Sequence, residues 1–196
     1  MTKVLLTGFE PFGKATLNPS GEIVKQISGD NIVTAILPVA YAQSAEALLK
    51  LIEQHNPDVV ISLGQAEGRT QITPERIAIN LDDARLADNE GVMRNDLPIF
   101  VGGPVAYEST LPIKAIVEAI KAEGIPAAVS LSAGAFLCNH IFYVAQNKFA
   151  GTSVRSGFVH VPLMDEQAGE FPGLPTMPLD QMVKAMNITI ETVTQG

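Results

Sequence analysis

The chain has little of three things that would point to a particular partner or compartment: cysteine, basic clusters and long apolar runs. The single cysteine among 196 residues cannot form an internal disulfide, which favours a reducing, cytoplasmic setting. Thirteen Lys and Arg against 21 Asp and Glu leave a net charge of −8. Without a basic cluster, the sequence predicts no binding to nucleic acid or anionic lipid. No apolar run approaches the ~20 residues of a membrane span, and the first residues lack a signal peptide's apolar stretch.

The chain does have the composition of a folded protein, with 46% hydrophobic and 17% charged residues. Disorder is therefore excluded as the main state, and the absence of repeats and linkers predicts one domain over 1–196. Hydrophobic periodicity predicts strands over 3–7, 32–39, 58–63, 75–79, 127–131 and 154–161. It predicts helices over 19–27, 42–54, 112–122, 138–146 and from about 178.

Apolar strands that alternate with helices are typical of an α/β protein. We expect a three-layer α/β/α fold with a mostly parallel twisted central sheet, as in phosphorylases and hydrolases. Ligands of such sheets bind at the carboxyl ends of the strands. The loops after residues 7, 63, 131 and 159 are therefore the places to search for a site.

The loop after the first predicted strand resembles a phosphate-binding loop but lacks its chemistry. Its sequence over 8–15 is GFEPFGKA, in which Pro11 removes a backbone donor and Ala15 offers no hydroxyl for magnesium. Phe9 and Phe12 at the mouth of a sheet suit a flat, neutral ligand better. Packing of both rings onto the domain is the alternative interpretation.

Cys138 is the candidate nucleophile. The small residues over 132–135 predict a tight turn that places Cys138 at or near the start of a helix. The positive end of a helix lowers the pKa of a thiol, and its free N–H groups can stabilise an oxyanion. The alternative is a buried cysteine that acts as a small hydrophobic residue.

Three histidines could activate that thiol. His140 lies two residues beyond Cys138, about 200° around a helix, so their side chains diverge. His55 ends an amphipathic helix and is predicted to be solvated. His160 lies near the carboxyl end of the 154–161 strand, which makes it the histidine able to reach Cys138. A partly buried histidine with a purely structural role is the alternative.

A carboxylate is needed to orient the imidazole. Glu75 lies on the apolar face of a short alternating segment, where it needs a partner, either His160 or an arginine. Glu10 and Glu67 remain alternatives, and the acidic residues of the 82–90 loop are predicted to be solvated. No pair of His or Cys has metal-ligand spacing, so no metal site is predicted.

Several motifs, taken together and in order, resemble one known family. They are LLTGFEPFG (5–13), NPS (18–20), GQAEGR (64–69), ITPERIAIN (72–80), DAR (83–85), DNEG (88–91), AGAFLCNH (133–140) and GFVHVP (157–162). This ordered set resembles pyroglutamyl peptidase I, the pyrrolidone-carboxylate peptidase family of cysteine peptidases. The segment over 163–196 matches less distinctively.

The resemblance implies a site and a reaction. The implied residues are the triad Cys138, His160 and Glu75, the ring-binding Phe9, Phe12, Gln65 and Phe136, the loop support Asn18 and the oxyanion partner Arg85. The resemblance also implies an α/β/α fold, no cofactor, a cytoplasmic location and a homo-oligomer, often a tetramer. The expected reaction removes an N-terminal pyroglutamyl residue from peptides through an acyl-thioester.

Two other functions stay open at this point. A nucleoside phosphorylase could use a similar α/β core, but it needs an anion site, which the acidic balance and the failed phosphate loop argue against. A non-catalytic module that binds a small molecule would leave Cys138 inert.

Overall fold

The computed structural model describes residues 1–195, so Gly196, the last residue of the predicted domain, lies outside the described part. Its strands are β1 (Val4–Phe9), β2 (Ile32–Leu37), β3 (Val59–Gln65), β4 (Thr73–Pro74), β5 (Ile77–Ile79), β6 (Ala106–Glu108), β7 (Arg155–Val161), β8 (Leu163–Met164) and β9 (Thr176–Met177). Its α-helices are α1 (Pro19–Gln26), α2 (Tyr41–His55), α3 (Ile113–Ala122), α4 (Leu137–Phe149) and α5 (Leu179–Gln195). A short 3₁₀ helix covers Asp165–Gln167.

The central sheet has five strands in the order β2-β1-β3-β7-β4. The first four run parallel, and only the two-residue β4 is antiparallel to its neighbour β7. Side chains on both faces of β1 and β3 are buried because the sheet is covered on both sides. The mostly parallel sheet is thus confirmed.

Two hydrophobic cores flank this sheet and make the fold three-layered. In β1, Leu6 faces the core formed with α1, α3 and α5, whereas Leu5 faces the core formed with α2 and α4. The same alternation separates Val159 from Phe158 in β7. The site described below lies on the side of α4.

Two of the predicted strands are wrong in detail. The predicted 75–79 strand is broken, since β4 ends at Pro74 and β5 pairs instead with β6, outside the main sheet. The predicted 127–131 strand is reduced to isolated bridges, Ile72 with Ala127 and Glu75 with Ser130. Pro74 lies between those bridges, and its missing N–H removes one bond of that ladder.

Several short elements of the structure were not predicted. β6 lies within the 81–112 segment, for which no strand was predicted, and β8 and β9 pair in parallel shortly before α5. Strands of two or three residues carry no periodic pattern that a sequence could reveal. Over residues 1–195, no helix has both the length and the apolar character needed to cross a bilayer.

Candidate active site

A cavity of about 280 Å³ opens beside the carboxyl ends of β1 and β3. Six of the residues predicted for the site line it: Phe9, Phe12, Asn18, Gln65, Phe136 and Cys138. The deepest of them are almost fully buried, whereas Glu67 and Leu86 form an exposed rim. The position at the ends of parallel strands is the one that this topology favours for a ligand.

Cys138 is the second residue of α4. Gly134, with φ of +77°, forms the turn before the helix, and Phe136 is the extended N-cap. The first N–H groups of a helix have no partner within it, so those beside Cys138 are available to a ligand. The cysteine sulfur lies against Gly64, since a Cβ built on that glycine would be 2.7 Å from Sγ.

His160 is the neighbour of Gly64 across the sheet. The two residues are paired in the parallel register of β3 and β7, so they project on the same face, one strand spacing of ~5 Å apart. The sulfur of Cys138 on Gly64 therefore lies beside the imidazole. In the described part of the chain, the sulfur of Cys138 and the ring of His160 form no hydrogen bond. The two groups are therefore neighbours rather than a bonded pair.

Glu75 holds the imidazole from its other side. Its Oε1 is 2.7 Å from Nδ1 of His160, and the guanidinium of Arg69 donates to the same oxygen at 2.7 Å. Glu75 is fully buried, and its backbone N–H donates to the carbonyl of Phe158. Because an ionised carboxylate only accepts, Nδ1 carries the hydrogen, which leaves Nε2 of His160 free to accept a proton.

The pKa values follow from burial and from this contact. Burial by itself would raise the pKa of Glu75, but the hydrogen bond and charge of His160 and the charge of Arg69 lower it overall. Burial lowers the pKa of His160 despite the opposing effect of Glu75. Burial, followed by the charge of Glu75, raises the pKa of the Cys138 thiol to about 12. Desolvation and the charge of Glu75 thus shift the thiol pKa in the direction opposite to the one expected for a helix start.

His140 belongs to a separate buried group. Its Nδ1 lies 2.9 Å from Oδ2 of Asp82, which also accepts from Arg94 at 2.7 Å. The ring of Tyr41 packs edge-on against that of His140, with centroids 5.3 Å apart. Asp82 and Asp88 are buried, at 0% and 6% exposure, so the prediction of solvated acids in this loop is wrong for both.

The aromatic residues and Asn18 shape the pocket. The rings of Phe12 and Phe136 lie 5.3 Å apart and tilted by 50°, which leaves an aromatic wall. The side-chain oxygen of Asn18 accepts from Ser20 at the start of α1, and its amide donates to the carbonyl of Glu10. Asn18 therefore uses its polar atoms to join the loop to the helix.

Gln65 is oriented by a residue that sequence reasoning missed. The amide of Gln167, fully buried, donates to Oε1 of Gln65 at 3.0 Å, and Oε1 of Gln167 accepts from the N–H of Met164. The Nε2 end of Gln65 keeps only a 3.4 Å contact with Glu67 and remains available as a donor. Nothing in the 163–196 sequence pointed to Gln167.

Arg85, predicted for the oxyanion, is exposed and does not line this cavity; its neighbour Leu86 does. Its oxyanion role stays a prediction. Arg69 was the further residue that sequence reasoning did not single out, although it lies within the GQAEGR motif. In residues 1–195, no group of three or more His, Cys, Asp or Glu is arranged to hold a metal ion.

Known proteins resemble this chain along its whole length. Residues 2–196 match the family described as pyroglutamyl peptidase. A pyrrolidone-carboxylate peptidase of Aliivibrio fischeri is 48% identical, with 98% of this chain and 93% of the relative covered. Another, of Bacillus licheniformis, is 50% identical over 95% of this chain and 89% of the relative.

Solved structures agree with these sequences. The crystal structure of pyroglutamyl peptidase I of Bacillus amyloliquefaciens is 46% identical and superposes with a TM-score of 0.97, covering 100% of this chain and 98% of that one. A pyrrolidone carboxyl peptidase of Pyrococcus furiosus is 40% identical, with a TM-score of 0.92 and 99% of each chain covered. The chain therefore belongs to the pyroglutamyl peptidase family of cysteine peptidases.

Proposed function

We propose that Cys138, His160 and Glu75 are the catalytic triad with which this peptidase removes N-terminal pyroglutamyl residues from peptides. The observation that carries the proposal is the register of β3 and β7, which sets His160 beside Gly64 and hence beside the sulfur of Cys138. The hydrogen bond from His160 to buried Glu75 supports it from the other side. Neither a phosphorylase nor an inert binding module explains this arrangement or the family.

Catalysis begins from a neutral pair. The raised pKa of Cys138 and the lowered pKa of His160 leave thiol and imidazole uncharged near neutral pH. As the sulfur attacks the carbonyl carbon that follows the lactam ring, its proton passes to Nε2 of His160. The imidazolium that forms is stabilised by the carboxylate of Glu75 at 2.7 Å.

The next steps return that proton. The tetrahedral oxyanion accepts from the N–H groups at the start of α4 and from Arg85 once its side chain reaches the site; one such donor is typically worth about 3 kcal/mol of barrier. The C–N bond then breaks, and His160 gives its proton to the leaving amine. Water, deprotonated by His160, attacks the acyl-thioester, the C–S bond breaks, and the sulfur of Cys138 regains a proton.

Specificity follows from the pocket lining. The pyroglutamyl lactam is flat and uncharged, which suits the space beside Phe9, Phe12 and Phe136, and the Nε2 of Gln65 can donate to its ring carbonyl. An ordinary N-terminal ammonium would lie unpaired among these rings, which costs several kcal/mol. Proline lacks the ring carbonyl and would leave that donor of Gln65 unpaired.

The direct test is hydrolysis of pyroglutamyl-aminomethylcoumarin by purified variants. Cys138→Ala should abolish release of the coumarin while circular dichroism and Tm stay near those of the parent protein. His160→Ala should also abolish it and slow alkylation of Cys138 by iodoacetamide at neutral pH. His55→Ala, on the far end of α2, is the matched control and should retain full activity. Turnover by Cys138→Ala would refute the mechanism, and prolyl or glutamyl analogues cut equally well would refute the pocket argument.

The chain's assembly, extent and location are proposals of the same kind. Apolar side chains project from the loop before α3, with Met93 62%, Val101 92% and Val105 85% exposed, which supports a homo-oligomer, by resemblance a tetramer. Light scattering should therefore give a multiple of 20.8 kDa, and this mass should be reduced in V101D/V105D.

We propose also that 1–196 is one catalytic domain, and that the lone Cys138 suits a cytoplasmic enzyme.

A further inference from the structure

The pyroglutamyl pocket has a closed floor and an open rim, and this determines where the rest of a peptide must go. Phe9 and Leu137 in its floor are 4% and 2% exposed. Phe12, Glu67 and Leu86 at the rim are partly or fully exposed. If the lactam ring occupies the pocket, as the proposed function requires, the peptide chain beyond it leaves past the rim.

A second cavity begins at that same rim. It has a volume of about 620 Å³, more than twice that of the pyroglutamyl pocket, and Phe12, Glu67 and Leu86 line both. Phe171, on the segment that follows the 3₁₀ helix, supplies a further apolar wall. Its volume can hold one or two amino-acid side chains. Of the triad and the ring-binding residues, Phe12 alone lines this space.

Exposed carboxylates outnumber ammonium groups in the second cavity. Glu67 and Glu170 bring two exposed carboxylates, and Lys14 brings one ammonium. Glu170 accepts hydrogen bonds from the N–H and the hydroxyl of Thr16, which fixes it at the cavity wall. The third carboxylate, Asp88, is buried and accepts from backbone N–H groups of its own loop, so it does not face a ligand as a free charge.

We propose that this second cavity binds the residues that follow pyroglutamate and favours a lysine or arginine side chain among them. The long apolar stem of such a side chain packs on Phe12, Leu86 and Phe171, and its cationic head reaches Glu67 or Glu170. The inference rests on the proposed function, because it places the scissile bond at Cys138. Exposed ion pairs are weak, so the preference over alanine should be about two- to fivefold in kcat/KM, and larger over glutamate.

The test is competition among three peptide amides, pyroglutamyl-Lys-Ala, pyroglutamyl-Ala-Ala and pyroglutamyl-Glu-Ala, with the products followed by mass spectrometry. The parent enzyme should cut them in the order Lys, Ala, Glu, and 0.5 M NaCl should compress the differences. Glu170→Gln keeps an acceptor for Thr16 but loses the charge, so the Lys-to-Ala ratio should fall. Glu170→Lys should reverse the order of the Lys and Glu peptides. Glu191→Gln on α5 is the matched control and should leave every ratio unchanged.

The outcomes separate this inference from the proposed function. If pyroglutamyl-aminomethylcoumarin and all three peptides are cut, but at equal rates, the subsite is refuted and the triad stands. Ratios of the peptide cleavage rates that do not change with the charge at residue 170 would refute the subsite as well. If no pyroglutamyl compound is cut, the proposed function is refuted, and so is the subsite that depends on it.

Discussion

The substitution Gly64→Ala tests whether catalysis requires the sulfur of Cys138 to lie against strand β3, next to His160. An added Cβ would be 2.7 Å from Sγ of Cys138 and 2.8 Å from the ring of Phe158. Gly64 has no left-handed φ, so its backbone accepts alanine without strain. The new methyl group therefore acts only through its volume, which pushes the sulfur away from the sheet.

The expected loss is large in catalysis and modest in stability. Ordinary contact begins near 3.4 Å, so the sulfur must retreat by roughly 0.7 Å unless Phe158 yields as well. Overpacking of this kind costs about 1–3 kcal/mol, and each kcal/mol lowers the Tm of a domain of this size by about 2–4 °C. A displacement near 1 Å at a reacting atom costs on the order of 100-fold in rate. We therefore expect kcat to fall by about two orders of magnitude in a protein that remains folded.

The assay combines kcat and KM on pyroglutamyl-aminomethylcoumarin with thermal unfolding. Gly169→Ala is the control, because a Cβ at that glycine meets nothing within 4 Å, and we expect it to keep both Tm and activity. A folded Gly64→Ala enzyme with kcat near that of the parent would show that catalysis does not require the sulfur of Cys138 to lie against β3. The proposed neighbourhood of Cys138 and His160 would then be wrong.

Three further predictions concern the groups that support the site. Arg69→Met removes a charged hydrogen bond from buried Glu75, so kcat should fall and the free energy of unfolding should drop by about 1.5–3 kcal/mol. Gln167→Met frees Gln65 to rotate, so KM should rise more than kcat falls. Burial lowers the pKa of His160 from 6.5, so its contribution to stability is complete above pH 6.5 and is lost as the pH falls through its folded pKa. The difference in Tm between the parent and His160→Asn should therefore shrink between pH 7.5 and 5; a constant difference would contradict this.

The sheet and the site's location could be predicted from the sequence because both depend on local patterns. Apolar runs covered on both faces indicate parallel strands, and parallel strands bring their carboxyl ends, with His160 on one of them, to one edge. The helix start before Cys138 was equally local, since it depends on a turn of small residues. None of these predictions required knowledge of which distant residues meet.

The parts that sequence reasoning missed depend on distant partners. Asp82 looked like a solvated loop acid, but its partner His140 lies 58 positions away, and a buried pair leaves no trace in the composition of either segment. The orientation of Gln65 by Gln167 spans 102 positions. The effect of the one hydrogen bond that Pro74 cannot donate depended on which segment came to lie beside it. Desolvation of Cys138, which reversed the expected direction of its pKa, depends on the whole of the pocket.

The fold contains two buried groups of the same composition, and only their positions separate their roles. His160 with Glu75 and His140 with Asp82 are each completed by an arginine at 2.7 Å from the carboxylate. His140 is by far the closer to Cys138 in sequence, yet two residues of helix turn it away from the sulfur, and its Nδ1 is held by Asp82. His160, far along the chain, lies beside the sulfur because the β3–β7 register pairs it with a glycine that leaves room for Sγ. If the proposed triad is right, the chemistry of a histidine–carboxylate–arginine group is not sufficient for catalysis in this protein, and the register of two strands decides which group acts.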